Sequence, residues 1–182
     1  MLKLPLIFLQ EDLYAGAITQ FYWLSVVLET RLEKHKEHPM VASVRSLGLC
    51  VSPGYEADLA QLFGDNWRKA AVATRTPATD KYVEILEAAD PISLVAAAFI
   101  LYGALVVGGG KLTQAKVRKV IPRCNHLLFD VADDMSAQPG LHRSRVCTLL
   151  SAWLHVHRYH RYHRGSHRFC ALRVFRGDAT GV

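Results

Sequence analysis

Nine histidines are the most conspicuous source of chemistry in this 182-residue chain, and six of them fall between His142 and His167. His155, His157, His160, His163 and His167 recur in steps of two to four residues. That density binds a transition metal opportunistically. A dedicated metal site also uses carboxylates and an ordered outer shell to orient its ligands, and the one acid beyond Asp134 is Asp178; no built metal site is expected. His35 and His38 stand in the charged stretch Lys34–Pro39 and read as solvent-exposed. Cys50, Cys124, Cys147 and Cys170 are far apart, with no C-x-x-C pair, and read as reduced thiols rather than a disulfide framework. Asp133 and Asp134 are neighbours whose side chains diverge on a helix, so they do not form an acid/base pair. No G-x-S-x-G or P-loop pattern exists. Gly108-Gly109-Gly110 follows an apolar run rather than a strand, and no G-K-[ST] comes after it. It reads either as a helix stop or as a place where missing side chains let a flat ligand rest on the backbone.

The elements that must carry these residues are helical. From Leu13 to Leu32 the apolar positions Leu13, Ala17, Ile18, Phe21, Leu24, Leu28 and Leu32 follow three- and four-residue steps, one stripe of an α-helix. Lys34 to Pro39 closes it, because cations suit a helix C-terminus and the residue before proline resists the α region. A loop is expected next, up to Ser52-Pro53, where serine can cap and proline suits the first helical turn. Tyr55, Leu59, Leu62 and Phe63 form the following stripe, stopped by Gly64, and Trp67 opens a short amphipathic piece. Thr76-Pro77 repeats the cap-then-proline device, with Tyr82, Ile85, Leu86 and Ala89 as its expected buried side; Asp90-Pro91 repeats it again.

Ile92 to Gly110 is a stretch of 19 residues without a charge. Its reliably apolar part, Leu94–Val107, would make roughly 21 Å of helix, short of a hydrocarbon core about 30 Å thick. A helix buried on all sides is the reading preferred over a membrane span. Lys111–Val120 resumes as a basic helix ended by Pro122, and Leu127, Leu128, Phe129, Val131 and Ala132 supply a last apolar patch. No run alternates long enough for a sheet.

Charge divides the chain. Residues 1–134 hold 14 Lys/Arg against 15 Asp/Glu, whereas residues 135–182 hold eight arginines and one acid. The net charge of +6 therefore belongs to the tail, and the body is not expected to bind nucleic acid specifically. The expected organisation is a helical domain over 11–134 and a basic, poorly ordered tail over 135–182. Met1–Gln10 has one lysine and a short apolar run met at once by Glu11 and Asp12, unlike a secretory signal.

Read in order, residues 21–117 resemble the heme oxygenase family. Phe21-Tyr22 with Leu28-Glu29 and Leu32-Glu33 through Pro39 is similar to one of its helices. Glu56-Ala57-Asp58-Leu59 with Phe63-Gly64 and Trp67 resembles the next segment, and Thr76-Pro77-Ala78 with Tyr82-Val83 the one after. Pro91, Leu94-Val95-Ala96, Ala98, Phe99, Tyr102 and Gly108-Gly109 resemble the helix that lies over the distal face of heme in that family.

The resemblance implies an all-α, multi-helix single domain that holds heme between two helices. It implies oxidative cleavage of heme to biliverdin, carbon monoxide and ferrous iron. Electrons would come from a partner of the cytochrome P450 reductase or ferredoxin type, in the cytoplasm or a plastid. It places Phe99, Tyr102, Gly103, Ala104, Gly108 and Gly109 at the heme, where the protein orients and the cofactor supplies the chemistry. The chain departs from the pattern at particular points. Leu105 stands at the family's distal aspartate, Ala104 at the first glycine of the helix kink, and Phe99 and Leu101 at Tyr and Arg positions. The family's proximal histidine lies on a helix ahead of the part matching Leu13, and residues 1–12 contain no histidine; that helix is expected to be missing, and the C-terminal part to diverge. His126 or a tail histidine is a possible substitute ligand. Impaired turnover is expected, with a non-catalytic tetrapyrrole-binding protein as the alternative.

Overall fold

In the computed structural model, which describes residues 10–106 and 110–130, the protein is a helical assembly. Seven α-helices occupy the described residues: α1 (Glu11–Lys34), α2 (Pro39–Arg45), α3 (Ser52–Phe63), α4 (Trp67–Ala73), α5 (Pro77–Ala88), α6 (Pro91–Val106) and α7 (Gly110–Val120). Single 3-10 turns follow at Gly64–Asn66 and Leu127–Phe129, and no strand is present among the described residues. The residues expected to form a final patch beyond Asp130, together with the whole 135–182 tail, lie outside the described residues.

α1 is the central element. Its 24 residues touch α3, α5 and α6, so more than one face must be covered. The buried side is not the simple aliphatic stripe. Leu13 and Phe21 are each 48% exposed, while Tyr14, Ile18, Thr19, Tyr22, Ser25, Leu28 and Leu32 enter the core. The face is turned because several core residues carry polar tips that meet partners inside: Tyr22 donates to Glu56 at 3.2 Å, and Thr19 returns its hydroxyl to the Ala15 carbonyl at 2.8 Å. A hydrophobicity stripe scores leucine above tyrosine, whereas a tyrosine with a bonded hydroxyl buries more area. α5 is rotated in the same sense. Thr79, Val83 and Leu86 are buried, and Tyr82, Ile85 and Ala89 only half so.

The segment expected to be a loop contains α2. Pro39 sits in its first turn, and Val41 and Val44, three residues apart, pack it onto the core beside α6. At the start of α3 the expected Ser52 cap is absent. The Glu29 carboxylate of α1 accepts the Val51 and Ser52 N–H groups at 2.7 and 3.2 Å instead. The other two caps form as expected: Thr76 accepts from the Thr79 N–H, and Asp90 from the Ser93 N–H at 2.7 Å. Gly64 ends α3 at φ 72°, a conformation that favours glycine.

α6 buries Leu94, Val95, Ala97, Ala98, Leu101 and Tyr102, and Leu94, Val95 and Leu101 contribute about 1.5–3 kcal/mol each when fully removed from water. It is not covered all round. Ile100 is 48% exposed, and Ala96 and Gly103 are half-buried on the same side. No helix among the described residues is long and apolar enough to cross a membrane.

Candidate functional site

α6 carries the residues expected at the ligand, and the structure divides them. Phe99 and Gly103, one turn apart, share the half-buried outer face of the helix. Around Gly103 the space is open: a Cβ added there would meet no atom within 4 Å. Tyr102 points the opposite way. It is buried, and its hydroxyl has no hydrogen-bond partner among the described residues. Burial in that position raises the phenol pKa well above its ordinary value, with the Glu29 charge adding to the rise. Tyr102 is therefore a core residue behind the helix rather than a residue of its open face. Ala104 and Leu105 lie in the last turn of α6, with their side chains outside the described residues, as are Gly108 and Gly109. Gly110 is buried at the first position of α7.

The histidine offered as a substitute ligand is committed elsewhere. His126 is fully buried, with φ 55° and ψ 46° in the left-handed region. Its Nε2 lies 3.0 Å from the Ile121 carbonyl, and its Nδ1 lies 2.9 Å from the Tyr14 hydroxyl. A carbonyl only accepts, so Nε2 holds the proton, and Nδ1 accepts a hydrogen bond from the Tyr14 hydroxyl. The two rings also meet edge to face, with centroids 5.3 Å apart. No lone pair remains for a metal. His35 and His38, expected to be solvent-exposed, are half-buried in the turn between α1 and α2, and neither α1 nor α6 contains a histidine. Among the described residues no group of three metal-ligating side chains exists.

Around His126 lies a polar lock that the residue pattern alone did not single out. Asp58 on α3 is buried, and its carboxylate accepts the Leu127 and Leu128 N–H groups at 2.7 and 2.9 Å and the Cys124 thiol at 3.6 Å. Burial pushes the Asp58 pKa up, and the two backbone donors oppose that rise. Burial also pushes the Cys124 thiol up to about 11, which keeps it protonated and unreactive. Gly54 stands one turn before Asp58. A Cβ there would lie 2.8 Å from the Leu128 Cα, so only glycine lets the backbone come within reach of the carboxylate. Gln114 on α7 completes the lock, donating to the His126 carbonyl at 2.9 Å and to Asp130 at 2.7 Å, and Lys111 reaches Asp130 at 3.0 Å. The signal in the sequence is G-x-x-x-D, a gap and an acceptor on one helical face.

This arrangement of helices around a glycine-bearing apolar α6 coincides with a match to a known family. A family model described as heme oxygenase matches residues 2–137. The chain belongs to the heme oxygenase family. Heme oxygenase 1 of Nostoc sp. strain PCC 7120 is 28% identical over 111 residues, covering 59% of this chain and 46% of that protein. Heme oxygenase 2 of Macaca fascicularis is 27% identical over 150 residues, covering 78% of this chain and 47% of that protein. The chain thus spans about half the length of these curated heme oxygenase relatives.

Heme, the ligand the family implies, fits the described residues in one respect and not in another. The open side of Gly103 on an uncharged helix suits the face of a flat apolar ring. Neither α1 nor α6 carries a histidine to stand as an iron ligand beside that face, and both ring nitrogens of His126 are bonded; His35 and His38, with an unpartnered ring nitrogen each, stand in the turn between α1 and α2.

Proposed function

We propose that this heme oxygenase-family protein binds heme against the outer face of α6, around Gly103, and that it cleaves heme weakly at most. The family reaction is oxidative cleavage to biliverdin, carbon monoxide and ferrous iron, driven by electrons from a reductase- or ferredoxin-type partner. The protein's own part in such chemistry is to bind, orient and deliver protons. The observation that carries the reading is the open space beside Gly103 on a helix without a charge. Ala104, Gly108 and Gly109 are proposed to extend that surface, with Phe99 at its edge.

On the same helix Leu105 has no group able to accept a hydrogen bond, whereas a carboxylate there could orient water. Placed general acid–base groups contribute about two to four orders of magnitude. Absence of such a group is enough to leave a bound substrate almost unreacted. The second reading, a tetrapyrrole-binding protein without turnover, is favoured by the engagement of both His126 nitrogens.

Hemin added to the pure chain with a reductase and NADPH tests both. The expected result is a saturable change in the heme absorbance with little or no biliverdin. Efficient conversion, at turnovers per minute, would show that the chain carries a complete catalytic apparatus. No saturable absorbance change would remove heme as the ligand.

A further inference from the structure

We propose that residues 146–154 of the tail dock on the outer face of α6, antiparallel to that helix. Three observations converge. The described chain ends at Asp130, and Asp130 is tied to Lys111 at 3.0 Å and to Gln114 at 2.7 Å. Both partners lie in the opening turns of α7, directly after α6, so the 52 remaining residues depart from the C-terminal end of α6. The 15 residues from 131 to 145 can reach at most roughly 50 Å when extended, ample to return along a 16-residue helix.

The second observation is the pattern of that segment. Val146, Leu149, Leu150 and Trp153 follow steps of three, one and three residues, the spacing that lines one face of a helix. The face offered to it on α6 is apolar and uncharged: Ala96 and Gly103 half-buried, Ile100 half-exposed between them. Gly103 leaves room for a bulky side chain, since nothing lies within 4 Å of its missing Cβ.

The third is charge. Directly after Trp153 the tail becomes rich in histidine and arginine, and in the antiparallel sense this part runs toward the N-terminal end of α6. Glu84, Glu87 and Asp90 are exposed there, and none forms an ion pair among the described residues. The docked segment and a tetrapyrrole would compete for the same face.

The test reads Trp153 in the full chain without heme, so it stands apart from the tetrapyrrole reading. Subtracting the fluorescence of Trp153→Phe from that of the natural chain isolates Trp153 from Trp23 and Trp67. The expected signal is blue-shifted, quenched by acrylamide severalfold less than a free indole, and independent of protein concentration. Ile100→Glu should abolish that protection. Glu84→Lys with Glu87→Lys should weaken it, and Leu112→Glu, on the exposed side of α7, should leave it intact. Circular dichroism checks that each variant folds, and Ile100→Ser replaces Ile100→Glu if the latter does not. A Trp153 quenched as freely as indole would overturn the proposal. So would protection that survives the substitution at Ile100, or protection lost on dilution, the mark of a second copy.

Discussion

The Tyr14 hydroxyl and the His126 imidazole lie 2.9 Å apart in the core, joining the first described helix to residues 112 positions later. The bond fixes what His126 can do. With Nε2 held on the Ile121 carbonyl, the ring has neither a free lone pair nor room to turn. A histidine that looked available as a ligand is a structural brace.

Its removal should therefore cost stability. His126→Ala leaves the Tyr14 hydroxyl and the Ile121 carbonyl without these partners and opens a cavity, a loss on the order of 3 kcal/mol. Urea unfolding of the two proteins measures it. A loss below half a kcal/mol would mean that the brace carries no weight.

Two glycines should respond oppositely to alanine. At Gly54 the new methyl meets the Leu128 Cα at 2.8 Å, and separation of α3 from the Leu127–Phe129 turn should cost about 1–3 kcal/mol. At Gly103 nothing is met, and helix propensity should add about 0.5–1 kcal/mol of stability. Thermal unfolding of both variants tests the pair, and equal effects would contradict the described packing.

Asp130 should give the protein part of its resistance to acid. Burial pushes its carboxyl up, but bonds from Gln114 and Lys111 outweigh that and leave the pKa lowered. A lowered folded-state pKa means that the ionised group stabilises the fold above the ordinary carboxylate range, and that this contribution is lost as pH falls through the folded value. The stability difference between the natural chain and Asp130→Asn should be largest near neutrality and shrink below about pH 4. Asp58 runs the other way. Its raised pKa means that the folded state holds the proton more tightly, so its contribution falls as pH rises through that range. Denaturant titrations at several pH values separate the two. A difference for Asp130→Asn that grows on acidification would refute the assignment.

The helical class, three proline-led helix starts and the Gly64 stop were all legible in the sequence, because each rests on local chemistry. Residues decided by partners distant in the chain were not. Glu29 took the capping role expected of Ser52 because α1 brings a carboxylate beside the first turn of α3. Leu13 and Phe21 were expected inside and stand half-exposed, since Tyr14 and Tyr22 find interior partners for their hydroxyls. On α6 the sequence grouped Phe99, Tyr102 and Gly103, yet only the packing showed that Tyr102 faces the core and Gly103 the open side.

On the proposed function the α6 face, and not His126, receives the tetrapyrrole. Hemin titration by absorbance into the natural chain, Gly103→Val and His126→Gln tests it most directly. Saturable binding by the natural chain, weakened tenfold or more by Gly103→Val and spectrally unchanged in folded His126→Gln, is the predicted result. Binding unaffected at Gly103 and lost together with its histidine-ligated spectrum in folded His126→Gln would contradict it.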